Sequence, residues 1–151
     1  MRSIFLFYLL CTGLTMQAQK PGVKYDKILA DSLGADDYGM KKYSFVILKT
    51  GKTTIEDKQL RDSLFKGHMD NIGRLAKEGK LIVAGPIGKN EMNYRGIFIF
   101  NATSREELDK LLAADPAIQK GIFDVEVFDW YGSAALPTYL PNHDKIQKTG
   151  F

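Results

Sequence analysis

His68 and Asp115 are the residues of this 151-residue chain best suited to moving a proton. A histidine changes charge near neutral pH, and a carboxylate can orient it or stabilise its charged form. His68 follows Leu64 by four residues and precedes Ile72 by four, so on a helix it shares their apolar face. That position suits a satisfied core histidine as well as a pocket base. Gly67 is its neighbour. A glycine inside a helix costs about 1 kcal/mol relative to alanine, so it marks a close backbone approach or an opening. Asp115 stands directly before Pro116. Aspartate at a helix N-cap with proline at the first helical position is a sound structural cap, which taken alone accounts for Asp115 in full. Gly85, Pro86, Tyr94 and Arg95 are the candidate substrate-binding residues. Tyr94 and Arg95 either line a pocket or flank a turn, and Gly85-Pro86 reads as the turn that closes a strand. His143 lies in a proline-containing tail and is read as non-functional, and Trp130-Tyr131 as packing. No serine sits in a nucleophile elbow and no phosphate loop is visible.

The elements that must position these residues follow from pattern. Lys41–Thr50, KKYSFVILKT, is rich in β-branched and aromatic residues and predicts a strand. Thr54–Gly79 predicts a helix, with Leu60, Leu64, Ile72 and Leu75 in helical period, Thr54 or Asp57 at its start and Gly79 at its end. Lys80–Pro86 is a second strand, Gly88–Asn93 a polar turn, and Tyr94–Asn101 a third strand. Ser104–Ala114 is a helix opened by a capping box, Ser104 with Glu107. Asp115-Pro116 begins a short helical turn, and Gly121–Tyr131 is the fourth strand. The order β-α-β-β-α-β is the ferredoxin-like α+β unit, one antiparallel sheet with two helices on one face. Phe45 and Ile47 oppose Val46 and Leu48, and Ile97 and Ile99 oppose Phe98 and Phe100. Both sheet faces are therefore apolar, yet two helices cover only one. A second copy of the sheet is the simplest cover, which predicts a homodimer; the other cover is the arm and tail of a monomer.

Composition narrows the classes of function. With 44% hydrophobic and 26% charged residues the chain holds one globular domain and is not disordered. A net charge of +3 without any like-charged run gives no footing for a nucleic-acid partner. A single Cys excludes a disulfide framework and a Cys-ligated metal site, and two distant histidines make a His-rich one improbable, so no metal and no cofactor is expected. The opening Met1-Arg2-Ser3, then Ile4–Leu10, then Gln17-Ala18-Gln19 read as a secretory signal spanning residues 1–18. The apolar run is too short to span a bilayer, which needs about 20 residues, so no stable membrane insertion is expected after processing. Cys11 follows Leu10 instead of a small residue, against lipid attachment. The expected product is periplasmic or extracellular. It consists of an arm at 19–40 with a short helix near Asp26–Leu33, a domain at 41–132, and a largely irregular tail at 133–151.

One constellation is more specific than its members. The string His68-Met-Asp-Asn-Ile-Gly-Arg-Leu75, then Glu78–Pro86, then Ala114-Asp115-Pro116 and Gly121, resembles the YciI-like (YCII-related) domain family over about Tyr43 to Tyr131. The resemblance implies a dimeric α/β barrel with His68 and Asp115 facing a pocket. It also implies lyase- or isomerase-like proton chemistry on a small organic molecule. The arm and tail depart from the compact family pattern and stand where they would cap or block that pocket. Two functions follow: a cofactor-independent enzyme in which His68 moves a proton and Asp115 orients it, or a non-catalytic module that binds a small ligand or a partner. A His68 within reach of Asp115 and open to a cavity belongs to the first, and a His68 packed in a dry core to the second.

Overall fold

The computed structural model describes residue 22, residues 24–102 and residues 104–149. The signal expected at 1–18 lies outside them. The chain runs α1 (Lys27–Leu33), β1 (Met40–Thr50), α2 (Lys58–Lys77), β2 (Leu81–Pro86), β3 (Tyr94–Phe100), α3 (Arg105–Ala113), α4 (Pro116–Gln119), β4 (Phe123–Ser133), a 3-10 turn (Leu136–Tyr139) and α5 (Leu140–Ile146). From β1 to β4 this is the expected β-α-β-β-α-β order, with α4 as an added turn. The sheet order β2-β3-β1-β4 with antiparallel pairing throughout is that of the ferredoxin-like fold.

Local chemistry sets the helix ends. Asp57 caps α2, its side chain accepting from the Leu60 amide at 3.0 Å, so the helix starts four residues later than Thr54. Thr54 stays in the β1–α2 loop. Gly79, at φ 67°, takes the left-handed conformation that ends α2, and the Lys80 amide closes back on the Leu75 carbonyl at 3.0 Å. Ser104 caps α3 as its capping box predicts. Leu60, expected on the apolar stripe, is 46% exposed in the first turn of α2.

The helix side of the sheet carries the main core. Val46 and Leu48 of β1 and Phe98 and Phe100 of β3 pack with Leu75, Leu81, Leu108 and Leu112. The opposite face carries Tyr43, Phe45, Val83 and Ile99 in a second cluster. Part of its cover comes from the tail, which is not irregular as expected. Leu136 and Leu140 pack on this cluster, and the Tyr139 hydroxyl donates to the Ile82 carbonyl at the far sheet edge. Pro137 and Pro141 do not break the tail's helices. Each sits in the first turn of a helix, where no backbone N–H is needed. The arm is tied to β4 by the Tyr131 hydroxyl donating to Asp36 and by the Ala134 amide donating to Gly39 at 2.9 Å. Even so, Phe128 remains 47% and Trp130 37% exposed on the second face.

Helix α2 must approach α4 closely to bring His68 to Asp115, and Gly67 permits it. A Cβ at Gly67 would lie 2.7 Å from Cγ of Pro116, well inside carbon–carbon contact distance. Gly73, one and a half turns on, has open space around it. The two glycines therefore respond oppositely to alanine. Gly73→Ala gains helix propensity and raises stability by up to about 1 kcal/mol. At Gly67 the same gain is outweighed by an overpacking cost of about 1–3 kcal/mol. Thermal or urea unfolding of the two variants reads this; Gly67→Ala as stable as Gly73→Ala would contradict the close approach.

Candidate active site

The buried side chains of α2 are Leu64, His68 and Leu75, which sets His68 in the stripe that faces the sheet. Its ring lies 5.2 Å from that of Phe123 and 6.0 Å from that of Phe98. Asp115 caps α4 from the other side. Its two carboxylate oxygens divide the work. Oδ1 accepts from the amides of Ala117 at 2.9 Å and Ile118 at 3.2 Å, and Oδ2 meets Nδ1 of His68 at 2.7 Å. The cap explanation and the histidine-partner explanation of Asp115 are thus both satisfied, by different atoms.

The pair is almost closed to water, with Asp115 1% and His68 7% exposed. Burial alone pushes the Asp115 carboxyl up. The hydrogen bond and charge of His68, joined by the Ile118 and Ala117 amides, outweigh it and hold the group below the ordinary carboxylate range. An ionised Asp115 is acceptor-only, so in the neutral imidazole the proton belongs on Nδ1 and the lone pair on Nε2. Nε2 makes no hydrogen bond with any described residue. Among the described residues no fully buried side-chain nitrogen or oxygen lacks a partner, so Nε2 keeps contact with solvent. This arrangement can take a proton at Nε2 while Asp115 holds the ring and stabilises the imidazolium that forms.

A cavity of about 370 Å³ opens next to Phe123, whose ring separates it from His68. Arg61 and Phe65 of α2, Thr53 of the β1–α2 loop, Arg95 of β3 and Phe123 of β4 line it. Phe123 is common to this cavity and to the surroundings of His68, and its ring meets Phe65 edge-on at 5.8 Å. A larger cleft of about 630 Å³ lies between α2 and α5 and includes His143. Neither His68 nor Asp115 lines either cavity, but the smaller one is walled by Phe123, whose ring adjoins that of His68, and the larger one by no Phe, Tyr or Trp ring, so the smaller is the one related to the chemistry. Among the described residues no three His, Cys, Asp or Glu side chains come together as metal ligands.

Of the four candidate binding residues, Arg95 lines the cavity and the others do not. Gly85 and Pro86 are strand residues paired with Ile97 and Gly96, not a turn. Proline is tolerated there because β2 is an edge strand and needs no donor on its outer side. Tyr94 is bound through its backbone, its amide donating to Asn90 Oδ1 at 3.1 Å and its carbonyl accepting from Asn90 Nδ2 at 2.8 Å. Trp130 packs on Tyr43 at 5.5 Å. The sequence reading missed Arg61, Phe65 and Phe123. The signal for Arg61 was present, since it precedes His68 by seven residues and so lies on the same side of α2.

The chain has counterparts among known proteins. No curated protein matches its sequence. Among solved structures, muconolactone isomerase is 20% identical, with a TM-score of 0.50 over 58% of this chain and 86% of that one. Such a likeness shows the fold. A 5-chloro-2-hydroxyhydroquinone dehydrochlorinase from Burkholderia phenoliruptrix AC1100, solved with 2,5-dihydroxybenzoquinone, is 23% identical over 58% of this chain and 92% of that one, at a TM-score of 0.42. The sequence pattern of the YCII-related domain matches residues 43–131, from the buried Tyr43 of β1 to Tyr131 of β4, a span that contains both His68 and Asp115, and the chain therefore belongs to the YCII-related domain family.

Proposed function

We propose that this chain is an exported acid–base enzyme that moves a proton on a small organic molecule, with no cofactor in the step. Nε2 of His68 takes a proton from carbon next to a carbonyl, and the electron pair passes into the enolate. Return of the proton to a different carbon is an isomerisation; loss of a leaving group from the adjacent carbon is an elimination. Asp115 is the positioning residue. The observation that carries this reading is the 2.7 Å contact between Nδ1 of His68 and an Asp115 already held by two backbone amides. Solvent contact at Nε2 favours it over a purely ligand-binding module, which would keep His68 in a dry core. The fold is one that also serves a muconolactone isomerase.

A general base contributes about 10²–10⁴-fold to such a step. Small ketones and unsaturated lactones incubated with the protein in D₂O should therefore lose C–H signal in proton NMR. His68→Gln should slow that exchange by about the same factor. Exchange that is equal in both proteins would remove His68 from the chemistry.

The proposal extends to assembly and export. The half-buried Phe45, Ile47 and Ile97 and the exposed Phe128 share the second sheet face, and a second copy of the chain would cover what the tail leaves open. Such a contact should bury about 1,200 Å² or more in total. The signal-like pattern at residues 1–18 supports export. Native mass spectrometry of the protein from an exporting host reads both points together. It should give twice the mass of a chain lacking its first ~18 residues. A monomer at tens of micromolar would refute the dimer, and an uncleaved chain would refute the export.

A further inference from the structure

We infer that the cavity of about 370 Å³ next to Phe123 is a carboxylate site, and that the substrate is a small organic acid with an apolar, ring-sized body. The inference deepens the proton-transfer reading and rests on it for the word substrate. Two guanidinium groups, Arg61 from α2 and Arg95 from β3, line one cavity to which no Asp or Glu contributes. Among the described residues neither takes part in an ion pair, whereas Arg74 and Arg105 each hold a carboxylate four residues on. Arg61 is steadied by Nη1 donating to the Ile55 carbonyl at 3.2 Å, which leaves its remaining N–H groups for a ligand. Two positive groups lining one cavity favour an anion there, and the planar fork of arginine fits a carboxylate at two points.

The rest of the lining says what the anion is attached to. Thr50 and Thr53 add hydroxyl groups, while Phe65, Phe123, Ile55 and Ile122 make an apolar wall. That wall continues to His68, since Phe123 touches both. A free inorganic anion would find no use for it. A molecule whose carboxylate meets Arg61 and Arg95 and whose body lies along Phe65 and Phe123 is carried toward the histidine. The volume suits a body of about one six-membered ring, at the lower end of ordinary ligand pockets.

Benzoate is the probe, with benzamide as its neutral counterpart and inorganic phosphate as the anion without a body. Amide shifts in proton–nitrogen NMR should saturate with benzoate at Thr53, Arg61, Arg95 and Phe123. Benzamide and phosphate should each bind about tenfold more weakly or worse. Arg61→Gln and Arg95→Gln, both at exposed positions, should each weaken benzoate by about fivefold or more and leave benzamide unchanged. On the unaltered protein, added sodium chloride should weaken benzoate and spare benzamide, which keeps the test open should either variant fold poorly. Equal binding of benzoate and benzamide, phosphate binding at least as tight as benzoate, or shifts confined to other residues would overturn the inference. The assay transfers no proton. Its failure leaves the His68–Asp115 reading intact, and an inert His68 would leave the carboxylate site intact.

Discussion

A buried carboxylate is the constraint around which this domain is arranged. Asp115 is 1% exposed, and an unpaired charge so deep would be costly by several kcal/mol. The fold supplies three donors to it: the two amides of the first turn of α4 and the ring of His68. The amides come with the cap. The histidine comes only if α2 lies hard against α4, and the side-chain-free Gly67 facing Pro116 is what permits that approach. Replacing either partner leaves a buried group without its complement, so the same contact that orders the chemistry also couples it to the packing of two helices. Phe98 and Phe123 pack beside the ring, at 6.0 and 5.2 Å between centroids, and leave Nε2 in contact with solvent.

The sheet that carries these helices has more apolar surface than they cover. Val46, Leu48, Phe98 and Phe100 pack on the helix side against Leu75, Leu81, Leu108 and Leu112. The opposite face is partly closed by a strap of chain that leaves β4, crosses Tyr43 and Ile99 with Leu136 and Leu140, and fastens to Ile82 through Tyr139. The strap covers the end of the face near β2, while Phe128 at the β4 edge stays open. The arm thus follows the β4 edge, and the tail crosses the second face before α5 comes to face α2. The cavity next to Phe123 is lined by the β1–α2 loop, α2, β3 and β4, and no residue of the arm or tail is among its lining residues. The additions that stand where they would block a pocket on sequence grounds leave this one clear.

The four strands and the two long helices were legible because each is written in residues of one habit: Tyr43–Leu48 in aromatic and β-branched side chains, Leu64 to Leu75 in helical period, Ser104 with Glu107 as a cap. Three features were not. Two capping residues, Thr54 and Asp57, compete for the start of α2, and the structure gives the cap to Asp57. Pro86, Pro137 and Pro141 all look like breaks, yet an edge strand and two first turns accept proline for lack of any demand on its nitrogen. The site was legible as a pair only through the family resemblance, not from local pattern. His68 and Asp115 are 47 residues apart, and no spacing rule connects a helix face to the cap of another helix. Gly67 was the one local trace of their meeting. Arg61 carries no signal of its own beyond its place on the His68 side of α2, and its meaning comes from sharing a cavity with Arg95.

The claim on which the rest turns is that Asp115 holds the proton of the neutral imidazole on Nδ1 and leaves Nε2 bare. Long-range proton–nitrogen correlation on selectively labelled histidine reads the tautomer of His68 directly, at a pH where the ring is neutral. The account predicts the Nδ1–H form in the native protein. In Asp115→Asn the Oδ1 cap to Ala117 and Ile118 is kept while an amide N–H now faces the ring, so Nδ1 must accept and the proton must move to Nε2. An Nε2–H ring in the native protein, or the same tautomer in both, would contradict it.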